Sequence, residues 1–174
     1  MSDGPGSEDA QFETAHMVRF ERALCAPLAE LWALLTEPAL LPGWYGADAM
    51  IEEGEGGKVR LMGNHIRGTI TQYRRQARLA YSWNVFAGAE EFPALPESYL
   101  TIDLIETDAG VTLRFLHGPV LARFEQQNAM GWATFLDMLT AAAHGETVQP
   151  RADYMRANAE KYGVDLNALE KAGD

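Results

Sequence analysis

Hydrophobic residues recur along this chain with two different periods. Over 121–144, LARFEQQNAMGWATFLDMLTAAAH, they return every three or four residues. That spacing places Leu121, Phe124, Asn128, Trp132, Phe135, Leu139 and Ala142 on one side of a helix, with Arg123, Gln126, Met130, Thr134, Asp137 and Ala141 opposite. Upstream the period shortens to two. Val18, Phe20, Arg22 and Leu24 share one face of a strand over 16–24, as do Leu79, Tyr81, Trp83 and Val85 over 78–86, and Val111, Leu113, Phe115 and His117 over 111–117. Further strands are predicted over 49–53, 58–62, 65–74 and 99–106. Gly63-Asn64 makes a tight hairpin turn, 107–110 makes another, and Gly118-Pro119 is expected to break the last strand. Gly68, inside a strand pattern, predicts a bulge or a bend that lets the sheet curl. Pro27 suits the first turn of a helix over 28–36, where its missing N–H costs nothing, and Pro38 opens a second short turn that closes at 42–46.

The order is a strand, two short helices, six more strands and one long helix. An α+β fold follows, with a curved antiparallel sheet of six to seven strands and the long helix across its concave face, because both apolar faces must be buried. Residues 1–15 form a Gly/Ser/acidic arm expected to be disordered, 16–145 the folded domain, and 146–174 a helical extension. In the extension, 150–162 and 166–172 read as helices, with Gly163 as a stop and Asp165 as a cap. Its apolar side is thin, so packing on the outside of the domain, contact with a second subunit and fraying all stay open. Residues 87–97, AGAEEFPALPE, have no periodicity; Phe92 and Leu95 there could cover a pocket mouth, or the loop could be a tolerated insertion.

The long helix carries an irregularity. Asn128 sits in the middle of the apolar stripe, with Glu125 at its edge, while the second half of the stripe is wholly apolar. A buried amide without partners costs about 1–3 kcal/mol. Gly131, in mid-helix, costs roughly 1 kcal/mol against alanine and suggests close approach of a strand or a ligand. A packed core is therefore expected under the C-terminal half and a pocket under the N-terminal half. A single satisfied core asparagine is the plainer explanation of Asn128 taken alone. Arg22, on the apolar parity of the first strand, is expected to reach solvent at the strand end.

Composition narrows the function classes. The chain has 174 residues, 47% of them apolar, enough for one domain with a sizeable core. A formal net charge of -11 argues against nucleic acid and against anionic membranes. One cysteine, Cys25, permits no internal disulfide and fits a reducing cytoplasm; it is expected to be a quiet buried thiol, with activation at the helix start as the alternative. The acidic N-terminus has no apolar run of the kind a signal peptide or membrane span needs. His16, His65, His117 and His144 are never at metal-ligand spacing, so neither a metal nor a cofactor is expected.

The chain resembles the START-like (SRPBCC) superfamily, and within it the activator of heat shock protein 90 ATPase homologue-like group. The resemblance runs through Arg22…Ala26-Pro27…Leu31-Trp32…Leu35-Thr36, Leu41…Trp44-Tyr45-Gly46, Gly56-Gly57-Lys58, Arg67-Gly68-Thr69-Ile70 and Leu79…Tyr81-Ser82-Trp83. It continues through Gly110-Val111…Leu113…Phe115…His117-Gly118 and Gly131-Trp132…Leu136…Leu139, covering about 17–145. It implies a helix-grip architecture with a cavity between helix and sheet for a small apolar or amphipathic molecule. It implies no reaction. The loop over 87–97 looks longer than the family's usual turn, and the extension is additional; both could reshape the pocket.

Inward parity and strand-end placement nominate Trp44, Tyr81, Trp83, Phe115, His117, Asn128 and Trp132 as ligand-binding residues. No catalytic residue is assigned. Acid–base work could fall only to His117 with Arg22 or Glu125, and a hydrogen-bonded strand-end histidine is the simpler expectation. There is no phosphate loop, nucleophile triad or paired-carboxylate signature. Three functions remain, in order: a binder of a small hydrophobic or amphipathic ligand, a cyclase- or hydrolase-like enzyme using the same cavity, and a co-chaperone-like module. A homodimer, and a protein partner docking on the extension, are both left open.

Overall fold

The computed structural model describes residues 10–87 and 91–172. Among them, seven antiparallel strands form one sheet in the order β1-β7-β6-β5-β4-β3-β2. β1 is Ala15–Leu24, β2 Met50–Ile51, β3 Lys58–Leu61, β4 Ile66–Arg74, β5 Arg78–Val85, β6 Ser98–Thr107 and β7 Gly110–Leu121. Helix α1 is Leu28–Thr36, α2 is Glu125–Ala143, α3 is Arg151–Tyr162 and α4 is Leu166–Ala172. The long helix, α2, packs on the sheet, and its apolar stripe closes the core with Trp132, Phe135, Leu136 and Leu139. Residues 1–9 of the expected arm, and 88–90 of the loop, lie outside the described residues.

Alternation along each strand sets which side chains meet the helix. In β7, Val111, Leu113, Phe115 and His117 are buried while Arg114 is exposed, as a period of two requires. The register then aligns rows across the sheet. Val18 pairs with His117, His117 with Leu100, Leu100 with Tyr81, and Tyr81 with Ile70. The neighbouring row is Phe20, Phe115, Ile102 and Leu79. α1 lies over this sheet with Leu31, Trp32 and Leu35 buried, and Trp32 meets Tyr73 of β4 edge-on at 5.3 Å.

Two glycines mark close approach. A Cβ on Gly68 would lie 1.8 Å from the carbonyl oxygen of Ser82, so β4 can run against β5 only without a side chain there; the register slip itself comes later, between Ile70 and Gln72. A Cβ on Gly110 would lie 2.2 Å from the carbonyl oxygen of Leu24, at a φ of 136°.

Several local expectations change. Gly118-Pro119 does not end β7, which runs on to Leu121. Beyond Gly118 the strand pairs only with β1, through His16↔Val120 and Ala15↔Leu121, so the missing N–H of Pro119 interrupts no ladder to β6. The helix consequently starts later: Leu121 closes the strand, Ala122–Phe124 makes a 3-10 turn, and α2 begins at Glu125. Arg22 does not reach for solvent; its Nη2 donates to Asp137 Oδ1 of α2 at 3.2 Å. Cys25 is exposed, and its backbone N–H donates to His144 Nε2 at 3.2 Å, tying the C-terminal end of α2 to the β1–α1 junction.

The first helix of the extension packs on the domain. The face of α2 opposite the sheet carries Met130, Thr134 and Ala141, all buried. α3 covers that face, and its buried Asn158 donates to Asp137 Oδ2 at 2.9 Å and to Thr134 Oγ1 at 3.4 Å. α2 is thus enclosed on both sides, which the wide apolar band of its sequence requires.

Candidate ligand-binding site

A hollow of about 340 Å³ lies beside the first turns of α2. β5 contributes Trp83 and Val85, β6 Ser98, and β7 His117, Pro119 and Val120; Phe124 and Asn128 close it from the helix side. Leu95 and Pro96 of the long loop form its rim, while Phe92 points away and is 74% exposed. Glu13 and Ala15 complete the wall. Residue 13 is held there because Glu13 pairs with Arg123 and the carbonyl of Thr14 accepts from Ala122 N–H at 2.9 Å. The lining is mostly aliphatic and aromatic, with Ser98, His117 and Asn128 as its neutral polar groups.

Behind the hollow stands a directional chain of hydrogen bonds. The indole N–H of Trp132 donates to His117 Nδ1 at 2.9 Å. An indole nitrogen can only donate, so His117 Nδ1 is the acceptor and the ring carries its proton on Nε2. Nε2–H then donates to Ser98 Oγ at 2.9 Å, and the Ser98 hydroxyl donates to the Trp83 carbonyl at 3.2 Å. His117 is 2% exposed, and burial pushes its pKa down to about 4, so the ring is neutral near pH 7. Among the described residues no carboxylate or arginine hydrogen-bonds to it. Arg22 is engaged by Asp137, and Glu125 by His16 Nδ1 at 2.5 Å. The acid–base pair considered for His117 is not assembled.

Trp132 is the hub of the aromatic packing. Its ring centre lies 4.5 Å from that of Phe115, 4.8 Å from Trp83 and 5.5 Å from His117. The seven residues expected to bind ligand therefore divide. Trp83, His117 and Asn128 line the hollow. Trp132 backs it and, with Trp83 and Asn128, lines a second opening of about 170 Å³ together with Met62, Gln127, Gly131, Phe135 and Arg151. Phe115 is packed between Trp132 and Phe20 and lines neither. Trp44 and Tyr81 lie deeper. Trp44 stacks on Tyr45 at 4.4 Å and donates its indole N–H to the Leu34 carbonyl at 2.8 Å. Tyr81 shares a buried hydroxyl–hydroxyl hydrogen bond of 2.8 Å with Tyr45, and desolvation pushes both phenols up.

Sequence reading missed Pro119, Val120 and Ser98 as lining residues. The first two were hidden by the expected strand break, and Ser98 by a strand start placed one residue late. Asn128 keeps one hydrogen bond inside its own helix, from Nδ2 to the Phe124 carbonyl at 2.9 Å, and its remaining polar valences face the two openings.

A further hollow of about 530 Å³ on the sheet's outer face is crossed by Arg78–Asp103 and Arg114–Glu21 ion pairs. Five of its nine lining residues are charged, against one of thirteen in the site under α2. Among the described residues there is no cluster of three metal-ligating side chains, and no helix is long and apolar enough to cross a membrane.

A seven-stranded antiparallel sheet gripping a long C-terminal helix, with a hollow at the helix's leading end, defines a helix-grip protein of the START-like class. Residues 25–144 match the family profile described as Activator of Hsp90 ATPase homolog 1-like protein, and the chain belongs to that family. The AHSA1-like protein from Rhizobium etli is 35% identical, over 80% of this chain and 91% of that one, with a TM-score of 0.63. CalU16 from Micromonospora echinospora is 23% identical over 84% of each chain, with a TM-score of 0.61. The Aha1 protein from Colwellia psychrerythraea, described as a dimer, is 18% identical over 74% of this chain and 96% of that one, with a TM-score of 0.62. These last two likenesses show the fold alone. No curated protein matches the sequence.

Proposed function

We propose that this protein binds one small hydrophobic or amphipathic molecule between the leading turns of α2 and strands β5–β7. The observation that carries the reading is the hollow of about 340 Å³, walled mostly by apolar side chains around Ser98, His117 and Asn128, with the one carboxylate in its lining, Glu13, paired to Arg123. Its size is at the lower end of the roughly 300–1,000 Å³ usual for small-molecule pockets. The neutral, doubly hydrogen-bonded His117 supports binding over acid–base chemistry, because both ring nitrogens already have partners.

The test is a thermal-shift panel of graded aliphatic and aromatic molecules, with native mass spectrometry of the same samples. A ligand at a hundredfold excess over its Kd stabilises by about 2.7 kcal/mol and raises the melting temperature. Val85→Trp, which fills the hollow from β5, is expected to abolish that rise while the chain stays folded. Full binding by the filled variant, or a panel with no stabilising member, would sink the reading.

A further inference from the structure

Among the described residues, the guanidinium of Arg151 has no counter-ion. Arg22, Arg78, Arg114, Arg123 and Arg156 each meet a carboxylate, Arg67 donates to the Asn64 carbonyl, and Arg19, Arg60, Arg74 and Arg75 are exposed to solvent. Arg151, the first residue of α3, meets none among the described residues, and its Nε is buried without a hydrogen-bond partner. Its Cζ lies 4.4 Å from the ring centre of Phe135, within cation–π reach. A half-buried guanidinium that loses water without gaining an anion is costly, and its desolvation lowers its pKa. Such a group is usually paired, and here what it faces is the opening of about 170 Å³.

A second observation concerns the same opening. Gly131 lines it, and a Cβ built on Gly131 would meet nothing within 4 Å. No strand presses on this glycine, so the close packing expected of it is absent. What its missing side chain provides is room beside Arg151. The two openings share Trp83 and Asn128, so an apolar hollow and a cationic one lie side by side.

We propose that the smaller opening holds the carboxylate of an amphipathic ligand against Arg151, while the ligand's apolar part lies in the larger hollow. This rests on the binding function proposed above and names its ligand class. A single guanidinium fork matches a planar monoanion, with the free amide of Gln127 and the remaining valences of Asn128 beside it. A phosphate dianion would meet one cation in a chain of net charge -11. The carboxylate-binding group comes from the extension, outside the 25–144 family match.

The test titrates the full chain with decanoate and with 1-decanol, followed by tryptophan fluorescence, to which Trp83 and Trp132 at the openings contribute two of the four indoles. Wild type is expected to prefer decanoate by about tenfold or more, the usual value of one charge-assisted hydrogen bond. Arg151→Met should erase that preference and leave decanol binding unchanged, which a merely structural role of Arg151 would not do. Arg75→Gln, at an exposed arginine outside both openings, should keep it. Gly131→Leu, which fills the smaller opening while Arg151 itself is unchanged, should also erase it and serves if Arg151→Met does not fold. Equal binding of the two probes to wild type, or a preference that survives both substitutions, overturns carboxylate recognition and leaves the apolar pocket standing. Binding of neither probe overturns both.

Discussion

At the scale of single residues, His117 couples the site to pH. Its folded pKa of about 4 lies below the ordinary 6.5, so between these values the unfolded chain binds a proton that the folded chain does not. Its contribution to stability is complete above about pH 6.5 and is lost as pH falls towards 4. A gap of that width corresponds to about 3 kcal/mol. Urea unfolding measured from pH 7 to pH 4 should show this loss, and His117→Gln should flatten it; an unchanged slope in the variant would mean that other groups drive the acid sensitivity. The Tyr45–Tyr81 pair makes a separate prediction. Tyr45→Phe leaves the Tyr81 hydroxyl buried without its partner and should cost about 1–3 kcal/mol, whereas removing both hydroxyls should cost less than the two single changes added together. A double-mutant cycle by chemical denaturation checks it, and strict additivity would show that the hydroxyls are not coupled.

Among the elements, α2 is the one that every layer touches, and Asp137 shows how. It accepts from Arg22 of β1 on one side and from Asn158 of α3 on the other, so one carboxylate joins strand, helix and extension. Both ion-pair partners are partly exposed, which reduces the Coulomb gain. Asp137→Ala should therefore cost about 1–2 kcal/mol, less than a fully buried pair. It should also speed hydrogen exchange in α3 before it affects the central strands, which native-state exchange would resolve. Uniform deprotection of the whole chain would contradict that order. The two-residue period of β6 and β7 and the apolar side of α1 were legible in the sequence, because each has one exposed and one core-facing side; the α2 stripe and β5 were legible from apolar spacing alone, since both are covered on their second face as well. The continuation of β7 through Pro119 was not legible. A proline reads as a stop unless the neighbouring strand is known to have ended already, and that is a property of pairing, which local pattern does not encode.

For the whole molecule, the family match ends at residue 144, yet the core does not. Trp83, His117 and Asn128 could be nominated from parity and polarity, since each carries an unusual group to an inward position. Arg151 could not. Nothing in its local sequence distinguishes it from a surface arginine, and only the docking of α3 on the outer face of α2 brings it to the opening beside Gly131. The same docking decides how far the extension matters to stability. Met130 is buried on the α2 face that carries Thr134, the residue touched by Asn158 of α3. Burying a methionine side chain is worth about 1.5–3 kcal/mol, so re-exposing Met130 costs about that much before any loss of hydrogen bonds. A chain ending at Gly145 should thus unfold at a lower urea concentration, expose an apolar helix face and bind a hydrophobic dye that the full chain does not. Adding back a peptide of residues 146–174 should reverse the dye binding. If the shortened chain keeps its unfolding midpoint and stays dye-free, then α3 lies on α2 without stabilising it, and the extension's part in the site would have to be judged on Arg151 alone.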